Sequence, residues 1–82
     1  MSTNLPALPN KAVAWMGEGL TAEQIRDRLT HLGNADPEAG HSAVDDLMRA
    51  VLEAIRDGHP DPQGLARAAL VVDEADFSRW CA

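Results

Sequence analysis

Apolar residues between Ser42 and Gly58 recur at helical intervals. Val44, Leu47, Met48, Val51, Leu52 and Ile55 follow the three- and four-residue spacing that lines one face of an α-helix. The other face carries Asp45, Asp46, Arg49, Glu53, Arg56 and Asp57. The ends are marked too. Ser42 is placed to cap the first turn, and Asp45 stands three residues later, at a capping-box-like position near the positive end of the helix dipole. Gly58 offers a left-handed stop and Pro60 forbids continuation. The rest of the chain is expected to pack around this helix, with Leu47, Val51 and Ile55 nearly fully buried.

The same reading extends to the flanking segments. Residues 1–9 contain two prolines and no helical period, so they are expected to form an extended arm tacked on by Leu5 and Leu8. Asn10 is placed to cap a short helix, KAVAWM, that ends near Gly17 or Gly19; either Val13 and Met16 or Ala12 and Trp15 face inward. Thr21 and Gln24 form a T-x-x-Q capping box with Leu20 as a hydrophobic staple to Ile25, which predicts a helix over 22–32. Ile25, Leu29 and Leu32 form its buried stripe, and Gly33 ends it. Asn34–His41 reads as a loop punctuated by Pro37 and Gly40, in which Asp36-Pro37 is able to start one helical turn. After the tight HPDP connector, Asp61 caps and Pro62 opens another helix, with Leu65, Ala68, Ala69 and Val72 inward. A fifth short helix is expected from Glu74, capped by Asp73, with Val72 stapled to Phe77 and with Phe77 and Trp80 closing one end of the core. The run Ala69–Val72 is read as helix, because no other stretch offers it a partner strand.

These elements predict an all-α fold, a compact bundle of four to five short helices: an arm over 1–9, then a single helical domain over 10–82. With 82 residues and only three aromatic side chains, Trp15, Phe77 and Trp80, the core must be small and aliphatic. Cys81 is alone, and no basic segment followed by an apolar run opens the chain. Both features fit a reducing, cytoplasmic setting. Six arginines against one lysine, with abundant alanine, suggest a high-GC bacterium or its phage.

Charge narrows the function classes. Thirteen acids against seven bases leave a net charge of −6. Residues 42–82 hold eight acids and four bases, net −4, and residues 1–41 hold five and three, net −2. Such a field disfavours nucleic acid and anionic membranes and suits a basic protein partner. It also keeps a small domain soluble without any partner.

Catalysis requires converging groups, and the pattern contains none. His31, His41 and His59 fall at helix ends or in loops. His41, Asp45, His59 and Asp61 match no zinc spacing, and Cys81 has no CxxC companion, so neither metal nor cofactor is expected. A terminal cysteine has no fixed base to make it a nucleophile. The letters DEAD at Asp73–Asp76 match the helicase motif of that name, which works only inside a large nucleotide-binding domain. No phosphate-binding loop or dinucleotide fingerprint occurs. An enzyme is not expected.

GLTAEQIRDRLTHLG, residues 19–33, resembles the first helix of many bacterial helix–turn–helix DNA-binding domains. In a winged-helix arrangement the 42–57 helix would then be the reader. Reader helices place Arg, Lys, Asn or Gln near their N-termini. This one presents Asp45 and Asp46, and no lysine follows Lys11. The expectation is therefore a small acidic protein-binding module. Its sharpest form, by analogy with acidic phage inhibitors, modulates a nucleic-acid-handling complex by engaging a basic protein surface. The candidate partner-binding residues are Asp45, Asp46 and Glu53 on the main helix, and Asp73, Glu74 and Asp76 near the C-terminus. A DNA-binding regulator and an accessory subunit or chaperone of a larger enzyme are the alternatives.

Overall fold

The structure is a computed structural model and describes residues 5–77. These residues form α1 (Asn10–Val13), a 3-10 turn (Ala14–Met16), α2 (Ala22–Ala35), α3 (Pro37–Arg56) and α4 (Pro62–Asp73). The fold is all-α, no strand occurs among the described residues, and Ala69–Val72 is helical as its sequence indicates.

The capping chemistry of α2 and α4 is as the sequence predicts. The Gln24 N–H donates to Thr21 Oγ1 at 3.1 Å and the Thr21 N–H donates to Gln24 Oε1 at 2.9 Å, closing the capping box. The Gly64 N–H donates to Asp61 Oδ1 at 3.0 Å, and Pro62 opens α4 with the φ its ring imposes. The end of α3 is also as expected. Gly58 adopts φ 92°, with its N–H bonded to the Ile55 carbonyl at 3.1 Å and the His59 N–H to the Ala54 carbonyl at 3.0 Å. That pair of bonds satisfies carbonyls the helix would otherwise leave open.

The segment between α2 and α3 differs from the sequence reading. Gly33 does not end α2, which runs on to Ala35. Ser42 does not cap α3; it lies mid-helix and exposed, as does Asp45. Asp36 takes the capping role instead. Its carboxylate accepts from the Ala39 N–H at 3.2 Å, and its own N–H bonds the Leu32 carbonyl at 2.8 Å. One residue thus ends α2 and begins α3, and the expected loop is helix. Packing explains this. A Cβ at Gly40 would fall 2.6 Å from the Gly33 Cα and 3.0 Å from Phe77 Cε2, and a Cβ at Gly33 would fall 2.2 Å from Phe77 Cγ, too close for the ring to stay where it is. Both glycines serve here as contact points rather than breakers: they let the two helices and the ring close together.

Two smaller corrections concern the ends. Asn10 does not cap α1; Pro9 occupies that position and no side chain caps it. Asp73 does not cap a fifth helix, for it is the last residue of α4, and residues 74–77 are not helical, with a turn at Glu74 and a bend at Phe77. Phe77 nevertheless reaches the core, 9% exposed. Trp80 and Cys81 lie outside the described residues.

The core is aliphatic. Ile25, Leu29, Leu47, Leu65 and Val72 are fully buried, Val44, Val51, Ala68 and Ala69 join them, and no polar or charged side chain is buried among the described residues. Leu8 is buried and Leu5 partly so, which ties residues 5–9 to the body. Ile55 is only partly buried, and Leu52 is exposed, contrary to the expectation for the α3 stripe. The apolar pattern of α3 is wider than the neighbours available to cover it. No described helix is long and apolar enough to cross a membrane.

Candidate protein-interaction surface

The short first helix settles which of its apolar pairs turns inward. Val13 and Met16 are buried; Ala12 is partly buried, and Trp15 is 61% exposed. The indole is nonetheless anchored, since its Nε1–H donates to the Ala12 carbonyl at 3.0 Å. Arg28 holds the turn below it to α2, donating from Nη1 to the Met16 carbonyl at 2.8 Å.

Open hollows flank this tryptophan. One, of about 510 Å³, is lined by Trp15, Met16, Leu32 and Ala35 together with Asp27, Arg28 and His31. The other, of about 370 Å³, lies between Trp15 and Leu32 and the α3 residues Ala39, Ser42, Ala43 and Asp46, with Lys11 at one side. Lys11 and Asp46 also border a third, about 270 Å³, with Arg49 and Glu53. Helical geometry accounts for the grouping, because Ala39, Asp46 and Glu53 are seven residues apart and share a stripe of α3. That stripe faces α1, to which it is tied by an ion pair between Lys11 and Glu53.

Electrostatics separates the candidate acids. The Lys11 ammonium holds the Glu53 carboxyl below its ordinary range, first through the hydrogen bond and then through its charge. Asp45 Oδ2 lies 3.3 Å from His41 Nε2, one turn away, as the early start of α3 permits. The Asp46 side chain forms no hydrogen bond or ion pair with any described residue. Glu74 stands 3.7 Å from Arg26 Nη1, and the Asp76 N–H donates to Thr30 Oγ1 at 3.3 Å, so the 73–76 segment is moored to α2. Asp73, Glu74 and Asp76 line none of the three hollows. Of the six candidate acids, Asp46 and Glu53 therefore share the surface beside Trp15, Asp45 lies on the neighbouring stripe, and the other three lie apart.

His41, Asp45, His59 and Asp61 do not converge. His59 Nδ1 accepts from the Asp61 N–H at 3.0 Å, and no group of three such side chains placed to hold a metal occurs among the described residues. Sequence reasoning missed Trp15 as a site residue. The available signal was length: a helix closed by Gly17 and Gly19 has room to bury one apolar pair only. Comparison of the chain with protein-family models, with curated proteins and with solved structures finds no match.

Proposed function

We propose that this chain is a small acidic protein-binding module. Its compact bundle of four to five short helices presents the face around Trp15 to a basic protein surface, and the partner belongs to a nucleic-acid-handling complex whose activity the module modulates. One observation carries the reading: an anchored, exposed tryptophan stands between two hollows on a molecule of net charge −6. Tryptophan is enriched among the few residues that dominate protein interfaces, and an exposed apolar patch bordered by polar groups is the usual form of such a site. Leu52 and Leu70, also exposed, line none of the three hollows, and single exposed leucines are ordinary on protein surfaces.

Affinity capture from the cells that encode the chain tests this. Immobilised wild type and Leu70→Ala should retain the same partner, Trp15→Ala should lose it, and adding the chain should weaken the partner's hold on nucleic acid. Identical capture by Trp15→Ala, or unchanged nucleic-acid binding by the partner, would sink the reading. Direct nanomolar binding of the chain to duplex DNA at physiological salt would replace it with that of a DNA-binding regulator.

A further inference from the structure

The hollow between Trp15 and α3 has a specific chemistry. Its walls are the indole, Leu32, Ala39 and Ala43, and its polar edge is Ser42 and Asp46. Lys11 is also there, but its ammonium is held by Glu53. Each of the other candidate acids on α3 has a partner within the chain: His41 for Asp45 and Lys11 for Glu53. The Asp46 side chain has none among the described residues, although Arg49 shares the adjoining hollow with it, so the hollow offers one carboxylate without a bonded partner beside an aromatic ring. The complementary group is a planar cation. A guanidinium stacks on an indole and donates two parallel N–H bonds to a carboxylate, which an ammonium cannot do at once. Trp15 also lines the larger hollow, where Met16, Leu32 and Ala35 stand with Asp27, Arg28 and His31, and its apolar members suit a bulky apolar side chain.

We propose that this face binds a peptide segment of its partner carrying an arginine, seated between Trp15 and Asp46, with a bulky apolar residue of the same segment seated against Met16 and Leu32. The inference rests on the reading of this face as a protein-binding surface and names what that surface recognises.

A displayed library of random short peptides, selected on the full chain, tests it. The enriched sequences should pair an arginine with a nearby bulky apolar residue. Replacing that arginine by lysine should weaken binding about 3-fold or more, in line with the modest worth of an exposed cation–aromatic contact. Asp46→Asn should weaken it by a similar factor and erase the preference for arginine over lysine. Trp15→Ala, checked for an unchanged melting transition, should weaken it about 30-fold or more. Enriched peptides that depend on Trp15 but lack arginine, or that bind Asp46→Asn as they bind wild type, would overturn the arginine assignment while leaving the surface in place. Peptides that bind Trp15→Ala undiminished, or the absence of any enriched sequence, would overturn both.

Discussion

Gly33, Gly40 and Phe77 meet where a methyl group has no room. Alanine at Gly33 would gain about 0.8–1.0 kcal/mol of helix propensity, but its Cβ would have to displace the Phe77 ring. Overpacking of this kind costs ~1–3 kcal/mol, so Gly33→Ala should lower the urea midpoint. Gly40→Ala should lower it further, because its obstacle is the Gly33 backbone at 2.6 Å rather than a side chain. A midpoint raised by Gly33→Ala would mean that the Phe77 ring does not press on α2, and one raised by Gly40→Ala that the helices do not touch there. Leu47 and Leu52 offer a second comparison, since they belong to one apolar pattern and differ in surroundings. Leu47 is 1% exposed and Leu52 is 67% exposed. Leu47→Ala should cost ~2–5 kcal/mol, and Leu52→Ala should stay within about 0.5 kcal/mol of wild type. Thermal melts of the two variants give the answer. Periodicity made both residues visible in the sequence but not their difference, because burial depends on which neighbouring helix arrives, and a single stripe carries no record of that.

At the scale of elements, what the sequence made legible was local. The Thr21–Gln24 box, the Asp61–Pro62 start and the Gly58 stop each rest on residues a few positions apart, and each has the expected geometry. The start of α3 was not legible, because two valid signals compete: Ser42 followed by Asp45, and Asp36 followed by Pro37. The contact between Gly33 and Gly40 favours the earlier one, and it is tertiary. A glycine that ends a helix and a glycine that admits a neighbour look alike in a sequence. The candidate site shares this limit. Acids on α3 were readable from the pattern, but their sorting into paired and unpaired groups depends on Lys11, 42 residues from Glu53. The cap assignment has a direct check. Asp36→Ala should cost ~0.5–2 kcal/mol, whereas Ser42→Ala should leave stability unchanged or raise it by about 0.5 kcal/mol, since serine is a poorer helix former than alanine. Loss of stability on Ser42→Ala alone would restore the later start.

Across the whole molecule, the Lys11–Glu53 pair fastens the first helix to the third, and its contribution depends on pH. Lys11 lowers the Glu53 pKa below the ordinary value of 4.5 in the folded state. A depressed carboxylate stabilises the fold above its unfolded pKa, and that contribution is lost as pH falls through the folded value. The stability gap between wild type and Glu53→Gln should therefore be widest near neutrality, narrow once pH drops below 4.5, and shrink with added salt because the pair is exposed. Denaturant titrations at several pH values measure it; a gap that widens on acidification would contradict the pairing. The corner at Asp36 acts in time rather than in depth of stability. With one residue joining α2 to α3, bringing the helices together costs almost no loop-closure entropy, and such local contacts form early in folding. Stopped-flow kinetics should show Asp36→Ala chiefly slowing refolding and Leu65→Ala, in α4 outside that pair, chiefly hastening unfolding. The 35 residues from Ala22 to Arg56 would then be the nucleus onto which both ends of the chain condense.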